Sequence, residues 1–141
     1  RMNIIESLVK KLKDIDGSGA HLMDVNENVH PNLKFWDEIE EFPALHLNAG
    51  SETRDYQTGG YKDRYLSVTI RCYVNEEDAQ RALNALMEDV ETVIETHNPI
   101  TYTDNLGSVQ STIQTSILSI DTDEGVLDPF GIGEIITTVQ Y

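Results

Sequence analysis

Histidine and cysteine are the residue types in this sequence that could most readily bind a metal ion or attack a substrate. They are His21, His30, His46, Cys72 and His97. No two histidines have a ligand spacing such as H-x-x-x-H, and a zinc site with one cysteine would need carboxylates to complete it. Cys72 shares an alternating pattern with Val68 and Ile70, where a free cysteine usually serves as a small buried hydrophobe. We therefore expect no metal ligand and no nucleophile among these residues.

Two loop patterns superficially suggest a bound ion. Residues 121–125 begin like a calcium loop, but an EF-hand needs glycine at its sixth position and glutamate at its twelfth. Those positions hold Val126 and Ile132, which favours a structural turn. Gly59 and Gly60 do not form a phosphate-binding loop, because no helix start with a lysine and a serine or threonine follows them.

Paired carboxylates are the remaining candidates for chemistry. Glu88 and Glu91 fall on one face of a predicted helix, but acid–base catalysis needs environments that separate the pKa values of the two groups. A row of solvated glutamates offers no such asymmetry. The sequence predicts no enzyme, no cofactor and no catalytic residue, which modestly favours a binding or assembly role.

Length and cysteine content limit the possible architectures. The 141 residues, with a mass of 15.9 kDa, predict a single domain over residues 1–141. One cysteine cannot close a disulfide within the chain, which fits a reducing compartment. No apolar run approaches the ~20 residues that cross a bilayer, so we expect no membrane association.

Charge is strongly negative and unevenly distributed. There are 25 acidic and 10 basic residues, a formal net charge of -15, and every lysine and arginine lies at or before Arg81. Such a surface repels phosphate backbones, so specific nucleic-acid binding is disfavoured. Two interpretations stay open: a solvated surface that aids solubility, or a wall along which DNA slides without adhering.

Two helices are predicted from apolar residues at three- and four-residue steps. The first spans residues 4–15, with Asn3 as N-cap, Glu6 as its capping-box partner and a stop at residues 17–19. The second spans residues 76–95, with Asn75 as its cap and an end at residues 97–99. Its buried stripe lies opposite a polar side that carries Glu88, Glu91 and Glu95.

Strands are predicted on either side of the second helix. A short strand at residues 43–48 and an alternating strand at 64–74 are joined by a long turn over residues 49–63. After the helix, residues 100–102 suggest a short edge, and 111–121 and 132–141 have strand composition with an acidic loop between them. The segment 20–42 reads as irregular, with Phe35, Trp36 and Phe42 among the rings that would pin it to the core.

The resulting order of main elements is α-β-β-α-β-β. It predicts an α+β fold in which a largely antiparallel sheet packs against two main helices.

The pattern resembles the tail terminator family of long-tailed bacteriophages. Four features carry the resemblance: the N-terminal amphipathic helix, the Phe-Pro-Ala-Leu-His-Leu motif at residues 42–47, the alternating strand at 64–74, and the acid-capped helix at 76–95. Two closing strands that end in Val-Gln-Tyr complete it, and residues 20–36 match nothing in the family.

The resemblance implies a structural virion protein. Members form a hexameric ring at the head-proximal end of the tail tube, end tube polymerisation, and join the tail to the neck. The implied partners are further copies of the chain, the major tail tube protein and a neck or head-completion protein, while DNA passes through the channel without specific binding. The implied location is the head-proximal end of the virion tail, with assembly in the host cytoplasm.

Candidate interface and channel residues follow from this implied role. The subunit or tube contact would involve residues of the long turn and the strand after it: Arg54, Tyr56, Tyr61, Arg71 and Tyr73. A mobile solvent loop is the simpler interpretation of the long turn. The acidic candidates for the channel wall are Glu88, Glu91, Glu95, Asp123 and Glu124.

Two other classes of protein fit the same sequence. A phage neck or head-completion connector would share the small α+β design and would differ in its binding partner. A small bacterial α+β ligand-binding module would instead need a pocket with convergent polar groups. Exposure of Cys72 or His46 in such a pocket would favour that last class.

Overall fold

A five-stranded sheet with two helices on one face forms the body of this computed structural model. The structure describes residues 2–15, 17, 22–25, 28–32, 39–124 and 129–141. Within them the helices are α1 (Met2–Leu12) and α2 (Ala79–Thr96). The strands are β1 (Val29–His30), β2 (Ala44–Tyr56), β3 (Lys62–Asn75), β4 (Thr101–Thr103), β5 (Val109–Ser111), β6 (Gln114–Thr122) and β7 (Phe130–Gln140).

The sheet has the strand order β1-β2-β3-β7-β6. Only the short β1–β2 pair is parallel, while β2–β3, β3–β7 and β6–β7 are antiparallel. The order of the main elements therefore agrees with the predicted α+β fold and its largely antiparallel sheet.

One face of the sheet carries the core. Alternate residues of β3 are fully buried, as the sequence pattern predicted: Leu66, Val68, Ile70, Cys72 and Val74. In β7 the side chains of Ile135, Thr137 and Val139 face the same way and are also buried. Both helices pack on this face, with α1 beside β2 and α2 over β3 and β7.

Two glycines of β7 let α2 approach the sheet closely. A Cβ atom placed on Gly131 would lie 2.7 Å from Val74 Cγ2 and 3.2 Å from the carbonyl oxygen of Ala79. A Cβ atom on Gly133 would lie 2.6 Å from Met87 Sδ. The absence of side chains at these positions therefore sets how near the helix can lie.

The buried stripe of α1 is confirmed, but its predicted cap is wrong. The helix spans Met2–Leu12, so Asn3 lies inside it, and the Asn3 side chain instead donates to Asn105 Oδ1 at 2.9 Å. The helix ends three residues early because residues 13–15 form tighter turns, in which Ile15 N–H bonds the carbonyl of Leu12. Ile15 is nevertheless fully buried.

The start of α2 also differs from the prediction. Asn75 is the last residue of β3, where it pairs with Phe130, so it cannot cap the helix. Asp78 takes that role and accepts a hydrogen bond from the backbone N–H of Arg81 at 3.4 Å. The predicted end holds, because His97 is the C-cap residue.

The long turn predicted over residues 49–63 is wrong. β2 continues to Tyr56 and β3 begins at Lys62, so most of this segment is a paired ribbon with a five-residue turn at residues 57–61. An irregularity in β2 between Ala49 and Glu52 marks the place where the ribbon leaves the body of the sheet.

A small hairpin follows α2, and its first strand, β4, corresponds to the short edge predicted at residues 100–102, whereas its second strand, β5, was not predicted as a separate strand. β4 and β5 pair antiparallel in a separate two-stranded sheet that lies beside α1.

Phe42 packs its ring against Phe130 with centroids 5.7 Å apart. The predicted anchoring by Phe35 and Trp36 falls on residues outside the described part of the chain.

Candidate assembly interface

The outer part of the β2–β3 hairpin projects beyond the sheet. β7 accompanies β3 as far as Tyr65, and the last neighbouring contact is the Tyr141 N–H bond to the Arg64 carbonyl at 3.0 Å. Residues 54–64, called the arm below, therefore extend past the end of β7, and Thr53 and Tyr65 lie at the base of the arm. At about 3.4 Å per strand residue, the arm reaches roughly 15 Å beyond it.

Glycine closes the end of the arm. Gly59 and Gly60 have φ angles of 91° and 85°, a left-handed conformation that glycine adopts without strain. The Gln57 N–H bonds the Tyr61 carbonyl at 2.7 Å across this turn. The ribbon is thus a closed hairpin and differs from the mobile loop considered for this segment.

One face of the arm is cationic. Residues directly opposite each other share a face, and Arg54 lies opposite Arg64, two residues from the buried Leu66. Tyr56 lies opposite Lys62 on the same side. This face, called the cationic face below, continues the helix-bearing side of the sheet.

The other face of the arm is acidic. Asp55 lies opposite Asp63, and Thr53 lies opposite Tyr65. The Gln57 side chain donates to Asp55 Oδ2 at 3.1 Å. We call this side the acidic face; the two faces of one short ribbon therefore carry opposite charge.

A polar cluster fixes the base of the cationic face. Glu52, whose side chain is 5% exposed, accepts a hydrogen bond from Arg54 Nε at 2.7 Å and another from the Tyr141 hydroxyl. The Arg64 guanidinium lies 4.2 Å from the centre of the Tyr141 ring. The hydrogen bond to Glu52 raises the pKa of the Arg54 guanidinium further above its usual value.

Aromatic rings near the tip of the arm are exposed. Tyr56 and Tyr61 are 70% and 75% exposed, and neither contributes to the core. Tyrosine is enriched at protein interfaces because it combines a large apolar ring with a polar group. Arg54, Tyr56 and Tyr61 therefore lie together on one projecting element, as the predicted contact requires.

The other two predicted interface residues lie farther along β3. Arg71 is half-buried on the face of the sheet away from the helices, with Nε 4.0 Å from Glu134 Oε2. Tyr73 is 2% exposed and packs against the His46 ring at 5.7 Å. Burial raises the pKa of its phenol. In the single subunit the Tyr73 side chain is therefore not on the surface.

The predicted acidic candidates separate into two groups. Glu88 and Glu95 are exposed on α2 and Glu91 is partly exposed, on the side away from the buried stripe. Asp123 lies near the other end of α2, where its Oδ1 accepts a hydrogen bond from Gln80 at 3.2 Å. Glu124 follows it with a positive φ of 55°.

Two of the residues best suited to chemistry, Cys72 and His46, are buried in the core, while His21 lies outside the described part of the chain. Cys72 and His46 are 0% and 2% exposed, and burial strongly raises the pKa of the Cys72 thiol. In the described part of the chain, no three His, Cys, Asp or Glu side chains are grouped so that they could hold a metal ion. None of the described helices is long and apolar enough to cross a membrane.

The two edges of the sheet differ from each other. Within the described residues, β1 covers β2 only at Leu45 and His46, so the rest of β2 has no strand on its outer side. At the other edge the Asn98 carboxamide bonds both the N–H and the carbonyl of Thr115 in β6, at 2.9 and 3.1 Å. An open sheet with two unlike edges and a projecting arm is typical of a subunit that joins others.

Comparison with known proteins identifies the family. The family model for the bacteriophage tail tube terminator protein matches residues 1–141. The chain is 34% identical over 149 aligned positions to the tail tube terminator protein of Escherichia phage T5, covering 100% of this chain and 92% of that one. The chain therefore belongs to the bacteriophage tail tube terminator family, and it is a structural component of the phage tail.

The fold also occurs in a solved particle. A chain in the virion of the native gene transfer agent particle aligns with a TM-score of 0.60 over 99% of this chain and 94% of that chain. The two sequences are 7% identical, so this likeness concerns the fold.

Proposed function

We propose that six copies of this chain form a ring at the head-proximal end of the tail tube, where the ring ends tube polymerisation and joins the tail to the neck. The family match over the whole chain supports the position in the tail. The projecting arm is the structural feature that supports the proposal of a ring. It is a paired β-ribbon with two exposed tyrosines, and it contributes nothing to the core of its own subunit.

The arm supplies the contact between subunits or with the tube. A two-stranded ribbon without a covering layer is marginally stable in water, so a partner surface is needed to stabilise it fully. Arg54, Tyr56 and Tyr61 are the residues we propose for that contact. Arg71, half-buried on the face of the sheet away from the helices, is the residue we propose for contact with a second neighbour.

The mechanism is competition for an interface. The ring occupies the growing face of the tube, and it offers no equivalent face to the next tube subunit. Unlike edges on the two sides of the sheet suit a head-to-tail ring, in which one surface of each copy meets a different surface of the next.

The acidic residues keep DNA from adhering as it passes. Glu88, Glu91 and Glu95 on α2, or Asp123 and Glu124 beyond β6, would face the channel and repel phosphate groups. The two groups lie near opposite ends of α2, so they would line different heights of the passage. During assembly the protein would be in the host cytoplasm.

A tube-growth assay tests this proposal. Tube protein from the same phage is polymerised with and without this chain, and tube lengths and end labelling are measured by electron microscopy. We expect shorter tubes with the chain bound at one end only. Normal tube growth together with binding to the head-completion protein alone would contradict the proposal and favour a neck connector.

A pair of tip variants assigns the contact. Replacing Tyr56 and Tyr61 by serine should weaken ring formation or tube capping at least tenfold, while leaving the unfolding midpoint nearly unchanged. Leu106→Ser is the matched control, since Leu106 is 92% exposed at the tip of the other hairpin. Equal effects of both changes would contradict a specific role for the arm.

A further inference from the structure

We infer that the arms of neighbouring copies stack face to face, with the cationic face of one arm on the acidic face of the next. The inference rests on the proposed ring and names the surfaces that hold it together. The occupant of each arm face is therefore a second copy of this chain.

Opposed like charges are the first observation. Arg54 lies directly opposite Arg64, and Asp55 lies directly opposite Asp63, one residue along the same ribbon. Like charges at directly opposed positions destabilise an antiparallel pair. The arm carries opposed like charges on both of its faces, with opposite sign, and on the cationic face Glu52 and the Tyr141 ring offset part of the repulsion.

Matched spacing is the second observation. Both pairs are directly opposed in one ribbon, so the Cβ atoms lie about 4.5–5.5 Å apart in the arginine pair and in the aspartate pair alike. Two stacked ribbons lie roughly 10 Å apart. An extended arginine on one ribbon and an aspartate on the other together span that gap, so both pairs can be bridged at once.

The charges next to these pairs agree with this pairing. Lys62 and the exposed Tyr56 extend the cationic face toward the tip, and Thr53 and Tyr65 flank the acidic pair with groups that carry no charge. Glu52 holds Arg54 at the base of the arm, so the cationic face is partly organised before contact. The Arg64 side chain is likewise placed by the Tyr141 ring.

Two faces of opposite charge produce a head-to-tail contact. Such a contact uses a different surface on each copy, and it closes into a ring when the rotation between copies permits. Copies of a chain with a net charge of -15 repel each other in general, but the cationic face of the arm is attracted to an acidic surface on another copy. The stacking thus opposes the general repulsion between copies at the place where they meet.

Two charge-reversed variants test the stacking, with mass measured by light scattering across a concentration series. The all-acidic arm is R54E with R64E, and the all-basic arm is D55K with D63K. Each variant alone should form at least tenfold fewer rings than the wild type, because like faces then meet. An equimolar mixture should recover rings, since every contact in an alternating ring again joins opposite charges.

Matched controls carry the same change in net charge elsewhere. K10E on α1 with K13E just after it matches the all-acidic arm, and E6K on α1 with D14K just after it matches the all-basic arm; all four positions are exposed. Both controls should form rings as the wild type does. The fourfold variant with both arm faces exchanged should also form rings alone, which shows that the altered arms still fold.

The outcomes separate this contact from the ring itself. If both reversed variants form rings as well as the wild type does, the stacking is overturned and the ring proposal stays intact. The same holds if the equimolar mixture of the two variants does not form rings. A wild type that stays monomeric at every concentration, with and without tube ends present, would overturn both. The wild type could also bind duplex DNA. If the R54E/R64E variant loses that binding and still forms rings, the cationic face is assigned to DNA and the stacking is overturned.

Discussion

Arg54 and Arg64 lie directly opposite each other across the β2–β3 hairpin, on the same face of the arm. Their mutual repulsion is offset within the subunit by Glu52, which binds Arg54 at 2.7 Å, and by the Tyr141 ring under Arg64. The same Glu52 carboxylate accepts the Tyr141 hydroxyl. Tyr141 thus helps to hold the base of the arm.

Removal of the Glu52 charge tests this arrangement. Glu52→Gln should lower the free energy of unfolding by about 1–2 kcal/mol, because a nearly buried charged acceptor is lost from two hydrogen bonds. Urea unfolding at high salt, where rings are disfavoured, measures the change. Asp55→Asn on the acidic face is the control and should stay within about 0.5 kcal/mol; a Glu52 effect no larger than this would contradict the role we assign.

The close approach of α2 to β7 predicts unequal effects at two glycines. Gly131→Ala should destabilise by about 1–3 kcal/mol, because its Cβ would meet the branched Val74 side chain and the Ala79 backbone carbonyl. Gly133→Ala should cost less, since the flexible Met87 side chain can move. Thermal unfolding compares them.

Gly50→Ala is the control for both glycine variants. Its Cβ would have no neighbour nearer than 3.6 Å, so we expect a change within about 0.5 kcal/mol. Equal effects at Gly131 and Gly133 would show that contact with rigid groups does not decide the cost.

A buried carboxylate ties the segment after α1 to α2. Asp89 is 1% exposed, and its two oxygens accept the backbone N–H groups of Leu22 and Met23 at 2.7 Å each. Asp89→Ala leaves both donors without this acceptor and should destabilise by about 2–4 kcal/mol. Asp89→Asn keeps one acceptor oxygen and should cost less.

Glu88→Gln is the matched control for Asp89. Glu88 is the exposed neighbour on the same helix, and its change should have almost no effect on the unfolding midpoint. If Asp89→Ala were as mild as this control, the two hydrogen bonds would not be a significant source of stability.

The hydrogen bonds of Asp104 lead us to expect that the stability of the β4–β5 hairpin depends on pH. The backbone N–H groups of Ser108 and Leu106 each donate to Asp104 Oδ1 at 2.9 Å, and these bonds lower the pKa of Asp104. Because the folded pKa lies below the unfolded one, the stabilisation is complete above the unfolded value of about 3.9. It is lost as the pH falls through the folded pKa.

Amide hydrogen exchange measures this effect through the protection factors of the Ser108 and Leu106 N–H groups between pH 2 and pH 6. This range is centred on the ordinary carboxylate pKa of about 4. Protection should fall at the acid end in the wild type. Asp104→Asn keeps an acceptor oxygen but does not titrate, so its protection should vary less with pH. Identical pH profiles would contradict a role for the carboxylate charge.

The elements that could be predicted from the sequence are those in which the spacing of apolar residues reflects burial on one side. Leu66, Val68 and Ile70 alternate because one face of β3 lies under the helices, and the stripes of α1 and α2 repeat with the helical period for the same reason. Wherever a segment touches the core on one side only, the periodicity of its apolar residues indicates its structure.

The arm was missed because it lies outside the core. Between Gly50 and Arg64 both faces of the ribbon are polar, so no alternation of apolar residues marks the strands. The Gly59-Gly60 pair was the available signal, since Gly-Gly between segments with strand preference is typical of a hairpin turn. The charge pattern of the two faces becomes visible only once the register of the strands is known.

The start of α2 was missed for a different reason. Asn75 and Asp78 are both good N-cap residues, and local preference does not distinguish them. Pairing of Asn75 with Phe130 in the sheet decides between them, and this contact joins residues far apart in the sequence.

The mass of the wild-type protein across a concentration series, with negative-stain images of the same fractions, tests the central claim most directly. Six copies of the 15.9 kDa chain would form a closed ring with a mass of about six subunits and an open channel. We expect that species to dominate as concentration rises and to dissociate at high salt. A monomer at every concentration, with and without tube ends present, would contradict the account.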